Sequence, residues 1–264
     1  VLAGGVVAAL LGPALARLEG SFSIPLYASS FLILSGLSAA AAVVMFWLRV
    51  PQADARALSL EQRRPWRVVV AQPAYLGALF GASTGFGVMI LAMTATPMAM
   101  VHHHHEFSTA ATVIQLHVLG MFLPSFFTGA LIGRFGVLPI MFSGVMLLSG
   151  HVLMTWTGTG FGSFASALIL LGVGWNFLYI GGTELLTSTY GRAEKSSAQA
   201  TNDMTIFVVG LGCSFGAAPL LAIFGWQTLN LLLLPWLALA GLTLAALGRG
   251  SGRKLWGARK LVGA

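Results

Sequence analysis

Five uninterrupted runs without Asp, Glu, Lys or Arg dominate the sequence: Gly20 to Leu48, Val68 to His105, Phe107 to Gly133, Phe135 to Thr183 and Met204 to Gly248. About 20 mostly apolar residues in helical form cross the hydrocarbon of a bilayer, so every one of these runs can span a membrane, and the last two are long enough to do so twice. Composition agrees. Charged residues make up 8% of the chain and hydrophobic residues 57%, with a mean hydropathy of +0.87, against roughly 25% charge in a soluble domain. The expectation is an all-α polytopic membrane protein. The single cysteine, Cys213, has no partner for a disulfide or a cysteine-based zinc site.

The two long runs break where Gly, Trp and polar residues mark interfacial turns, at Thr155 to Ser163 and at Phe224 to Asn230. Together with the apolar opening segment this predicts eight transmembrane helices, near 1–16, 23–48, 70–100, 109–132, 136–155, 163–186, 204–223 and 228–247. The first is short, has no initial methionine and no basic flank, and is expected to be a helix cut at its beginning rather than a signal peptide.

Positive charge near helix ends is retained on the cytoplasmic side. With eight spans, alternate loops collect Arg49, Arg56, Arg63, Arg64, Arg67, Arg134, Arg192, Lys195, Arg249, Arg253, Lys254, Arg259 and Lys260 on one side and leave only Arg17 on the other. An incorrect span count would scramble this asymmetry. The net charge of +7 then needs no nucleic acid; the partners expected are the lipid bilayer and a small-molecule substrate. The placement expected is an inner (plasma) membrane, with the C-terminus in the cytoplasm.

On this topology the run His102, His103, His104, His105, followed by Glu106, lies in an exterior loop. Adjacent side chains diverge around a helix and alternate along a strand, so four in a row do not by themselves converge on one ion. Two readings stand: a wet, exposed loop, or a weak metal or proton-sensing site. Ser108 is expected to cap the following helix. Asn202 and Asp203 are expected to cap the seventh.

Polar residues inside spans are costly in lipid and face protein or a water-filled cavity. His117, Met121, Ser125 and Thr128 recur at intervals of three or four and share one face of the fourth helix. His117 lies about 12 Å in from the exterior end at 1.5 Å per residue, with a proton-carrying group at accessible pH. Gln115 points elsewhere on that helix. On the sixth helix Asn176, Tyr179, Thr183 and Thr187 form a second stripe within the glycine-rich segment GVGWNFLYIGG, which permits close helix approach. Trp175 beside them offers a stacking surface. Each has a structural alternative, in which the hydroxyls bond their own backbone, Asn176 only joins helices and Trp175 faces lipid.

The segment GALIGRFG, with Gly129, Leu131, Arg134 and Gly136, resembles the short cytoplasmic motif of the major facilitator superfamily, G-x-L-a-D-r-x-G-r-k. LLGPALA, with Gly12 and Pro13, resembles the Gly-Pro kink motif of that family's fifth helix. The resemblance covers the whole chain. It implies a helical bundle corresponding to the fifth through twelfth helices of a twelve-helix transporter, with 1–48 the last two helices of the first half, 49–67 the cytoplasmic linker, 68–248 the six-helix second half and 249–264 a basic tail. It implies that four helices are missing and that this chain does not transport alone, since the family binds substrate between its halves. It also implies that the sixth helix lines the central cavity. Gly133 stands where the motif has aspartate, and Val137 and Leu138 where it has basic residues.

Secondary transport of a small solute by alternating access is therefore expected, with protons as coupling ion. Arg134 and Glu184, at similar depth near the cytoplasmic ends of their helices, are expected either to pair as an inner gate or to stand as separate interfacial charges. Other classes remain open: a metal exporter using the histidine run, or a haem protein with His117 and His151 as axial ligands. No nucleotide motif or nucleophile with a base is visible, so neither an enzyme nor a cofactor is expected.

Overall fold

The computed structural model describes residue 4, residues 28–48 and residues 64–250. Among these residues the regular structure is helical throughout: α1 (Ala28–Trp47), α2 (Trp66–Val70), α3 (Pro73–His102), α4 (Phe107–Phe122), α5 (Ser125–Phe135), α6 (Val137–Thr155), α7 (Phe161–Thr187), a short 3-10 turn (Arg192–Glu194), α8 (Lys195–Leu231) and α9 (Leu233–Gly250). Gly12 and Pro13, the segment 49–63 and the tail beyond Gly250 lie outside the described residues.

Five helical stretches among the described residues are long and apolar enough to cross a membrane: Pro73–His102, Phe107–Phe135, Val137–Thr155, Phe161–Thr187 and Arg192–Gly250. The expected eight separate spans are thus not all seen. The span expected at 1–16 lies outside the described residues, and in α1 the apolar stretch is the shorter Leu34–Trp47. The last stretch, 59 residues, is far longer than a hydrocarbon core of about 30 Å requires. It turns at Gly225, whose φ of 71° falls in the left-handed region that glycine enters without a Cβ clash. That places a break inside the expected turn at Phe224 to Asn230.

The start of α8 differs from expectation. Helix begins at Lys195, so Asn202 and Asp203 sit inside it and cap nothing; Asn202 Nδ2 instead donates to Asp203 Oδ1 at 3.0 Å. The polar stretch KSSAQATND is helical although it is too polar for hydrocarbon. Ser108 is likewise not the cap of α4, which starts at Phe107 after Glu106; its hydroxyl donates to Glu106 Oε2 at 3.1 Å.

Helix α7 is the centre of the bundle, packed by α3, α4 and α6. Its Leu168, Leu171, Leu178, Leu185 and Leu186 are fully buried against Leu138, Met141, Leu148 and Val152 of α6 and the alanines of α3. Small residues let it be crowded from three sides. A Cβ on Gly172 would stand 2.5 Å from the His117 carbonyl oxygen and 2.9 Å from the Met121 nitrogen, so α4 meets α7 backbone to backbone, the arrangement small residues allow in membranes.

Candidate substrate pathway

A Pro124 break divides the second long stretch into α4 and α5. Proline lacks an N–H and disrupts the ladder around it, and neighbouring polar side chains satisfy the backbone groups that such a break frees. Asn176 of α7 does this. Its Nδ2 donates to the Met121 carbonyl at 2.6 Å and to Ser125 Oγ, while its Oδ1 accepts from the Thr128 hydroxyl at 2.7 Å. The Thr128 hydroxyl also lies 2.8 Å from the Pro124 carbonyl. The expected faces of the two helices therefore meet, and Asn176, Met121, Ser125 and Thr128 form one seam closed to solvent at Asn176 and Thr128.

His117 continues the seam towards the start of α4. It is fully buried, and its Nδ1–H donates to the Leu168 carbonyl at 2.9 Å. Its Nε2 has no hydrogen-bond partner among the described residues. His151, from α6, donates from Nδ1 to the neighbouring Ala167 carbonyl at 2.9 Å, and its Nε2 lies 2.9 Å from Asn230 Oδ1. The two histidines thus share a depth, as expected, but both ring nitrogens of His151 are engaged. As packed, the pair does not offer two axial ligands to a haem.

Aromatic rings cover the adjoining surface. Trp175 and Tyr179, one turn apart on α7, stack with centroids 5.0 Å apart and planes 14° apart. Phe86 of α3 lies 6.2 Å from Tyr179 and meets Phe207 of α8 edge-on at 5.8 Å. Trp175 is 9% exposed, so it faces protein rather than lipid, and its indole nitrogen has no acceptor among the described residues. Sequence reasoning missed Phe86 and Phe207: an aromatic residue in an apolar helix has no contrast with its neighbours.

The remaining expected residues disperse. Gln115 is half-buried, and Thr183 is exposed with its hydroxyl donating to the Tyr179 carbonyl one turn back. Thr187 bonds the Glu184 carbonyl in the same way. Arg134 and Glu184 are both exposed and form no ion pair with each other; Arg134 lies 5.2 Å from the Phe135 ring centroid. Gly136 has a φ of 93° and joins α5 to α6, whereas Gly129 faces open space.

Within the histidine run the His102 and His103 rings meet edge-on at 5.5 Å, and His103 and His105 both lie against Phe164. His102 ends α3, His104 has a φ of 63°, and His105 Nε2 is 2.7 Å from the Thr159 carbonyl. Partial burial, and after it the neighbouring His102, His105 and His104, hold His103 below the usual histidine range. Among the described residues no three His, Cys, Asp or Glu side chains gather as a metal site.

An ion pair absent from the sequence reading closes the basic end. Arg64 Nε and backbone N–H both donate to Glu194 Oε1 at 2.9 Å, and Nη2 donates to Oε2 at 2.6 Å. Nη2 and Gln72 Nε2 each donate to the Thr189 carbonyl at 2.9 Å. Tyr75 and Trp66 extend the clasp to Ala198 and Thr201. The Arg64 side chain, and after it the Gly191 N–H, lower the Glu194 pKa to about 2. An apolar cleft of about 910 Å³ opens on the flank between α3, α8 and α9, beside Phe80, Ser83, Val209, Trp236 and Leu239. It touches neither the polar seam nor the aromatic patch.

The chain is 40% identical over 243 residues to the riboflavin transporter RfnT of Brucella anthropi, a match covering 90% of this chain and 61% of that protein. It is 31% identical to YdeG and 30% identical to YddS of Bacillus subtilis, both described as uncharacterized MFS-type transporters. Those matches cover 76% and 79% of this chain and 51% and 52% of the relatives. The chain thus spans between half and two thirds of the length of these relatives. No solved structure matches it. The sequence profile of the Major Facilitator Superfamily matches residues 1–211. With its apolar helical bundle and its transporter relatives, this chain belongs to the Major Facilitator Superfamily of membrane transporters.

Proposed function

We propose that the chain is the greater part of a secondary transporter that moves riboflavin, or a closely similar flavin, by alternating access. The observation that carries the substrate is the 40% identity with a riboflavin transporter across 90% of the chain. In this reading residues 1–48 belong to the first half, 49–67 to the linker, 68–248 to the second half and 249–264 to a basic tail. The substrate then lies against α3, α4, α7 and α8, facing helices that precede this sequence. The basic end faces the cytoplasm of a cell whose inner membrane holds the protein, as the arginine and lysine distribution favours.

Protons are the coupling ion in this reading, and His117 is their carrier within the membrane. Its unpartnered Nε2 supports this, because a buried polar atom without a partner is costly to maintain. The test is expression of the chain with its upstream reading frame in a riboflavin auxotroph that has no uptake system of its own. Growth on micromolar riboflavin and uptake of labelled riboflavin are expected, with uptake abolished by a protonophore and strongly reduced in His117→Gln. Uptake that survives the protonophore would remove proton coupling; no uptake at all would remove the substrate.

A further inference from the structure

A buried indole N–H normally finds an acceptor, because Trp is amphipathic and an unpaired donor is expensive. Trp175 has none, and its ring lies at the closed end of a patch that opens outward: Tyr179 is half-buried and Phe207 is 63% exposed. Asn176, the next residue on α7, is engaged with Met121, Ser125 and Thr128 and makes no bond to the indole. The patch therefore offers flat π surface over one donor that is covered in this packing and has no acceptor.

Its charge environment is equally specific. Helices α3 and α7 carry no Lys or Arg, and α8 carries only Lys195 at its first residue. The charged side chain beside the patch is a carboxylate, Asp203, one turn before Phe207 on α8. Lys195 begins α8 about 18 Å along the helix from Phe207, too far to neutralise a phosphate at the patch, and Asp203 repels one.

We propose that Trp175, Tyr179, Phe86 and Phe207 form the ring subsite for an uncharged, planar, multi-ring heteroaromatic solute. The rings stack on the solute, and the Trp175 Nε1–H, covered in the packing described, donates to a ring carbonyl or ring nitrogen when the entering solute parts the rings. This rests on the flavin reading above and sharpens it: the free vitamin fits and its phosphorylated nucleotides do not. Stacking of a heterocycle on an aromatic side chain contributes enough for its loss to weaken binding about tenfold.

The test uses the protein produced with its upstream reading frame and reconstituted in proteoliposomes. Uptake of labelled riboflavin is measured in competition with lumichrome, which has the rings alone, ribitol, which has the chain alone, and riboflavin 5′-phosphate. Lumichrome is expected to compete, and ribitol and the phosphate are not. Tyr179→Leu and Phe207→Leu are expected to raise KM about tenfold, while Tyr179→Phe stays near the parent value and shows that the position tolerates change if a leucine variant fails to fold. Equal KM in the leucine variants, or competition by ribitol or the phosphate as strong as by lumichrome, would overturn the subsite and leave riboflavin transport standing. If riboflavin is not moved but lumichrome binds with the same dependence on Tyr179, the vitamin reading falls and the subsite stands. If no planar ring binds, both are wrong.

Discussion

Arg64 and Glu194, 130 residues apart in sequence, form the single ion pair among the described residues. The carboxylate is 7% exposed at its side chain and accepts from the guanidinium, from the Arg64 backbone and from Gly191. The segment entering α3 is thereby fastened to the turn entering α8. Such a bidentate clasp is stronger and more directional than a lysine pair in the same place.

The clasp predicts an acid-sensitive bundle. The folded Glu194 pKa, about 2, lies below its ordinary 4.5, so the stabilisation is complete above the ordinary value and is lost as pH falls from about 4.5 towards about 2. Glu194→Gln is expected to lower the thermal midpoint in detergent by several degrees at pH 7 and to flatten its fall over that acid window. Parallel pH profiles for the parent and the variant would contradict this.

Asn176 bridges the Pro124 break, and its loss leaves the Met121 carbonyl and the Ser125 and Thr128 hydroxyls without it. Asn176→Leu is expected to cost about 1–2 kcal/mol in reversible unfolding from mixed micelles. Thr128→Val should cost less, because the Pro124 carbonyl and Asn176 share that one hydroxyl proton. Equal losses would mean that the seam acts through Thr128 alone.

Two neighbouring-looking glycine substitutions should separate widely. A methyl on Gly172 meets backbone of α4 at 2.5 Å, whereas one on Gly133 meets nothing within 4 Å. Gly172→Ala is expected to abolish uptake and reduce the amount of folded protein in the membrane. Gly133→Ala should leave both near the parent level, as read by fluorescence size-exclusion and transport.

Arg134 and Glu184 point into the surroundings without touching. Exchange of the two charges is therefore expected to be no better tolerated in uptake assays than removal of either alone. Rescue by the exchange would show that they meet in another state of the protein.

Much of this was legible where periodicity and contrast coincide. The spacing of His117, Met121, Ser125 and Thr128 defined a face, and that face packs on α7 as its polarity requires. Which residue it would meet was not legible, because Asn176 could equally have bonded any neighbour. The charge-free criterion located hydrocarbon spans but not helix ends, so it missed that α8 runs from Lys195 through a polar turn to Met204. Arg64 read as one of many positive charges, since nothing local to it announces a carboxylate so far along the chain. Phe86 and Phe207 were silent for a related reason: in a helix already rich in large apolar groups, only the tertiary arrangement singles out a ring.

Helix α7 touches α4 main chain to main chain at Gly172 and reaches α3 through Gly182, where an added methyl would meet the Ala78 carbonyl at 3.0 Å. Interlocked surfaces of this kind resist sliding, since any lengthwise step drives a side chain into a peptide plane. The central helix therefore behaves as a spindle keyed to its neighbours. Under the alternating-access proposal, a working stroke carries the whole bundle round with it and leaves deformation to places such as Pro124 and Gly225, where the ladder is already interrupted.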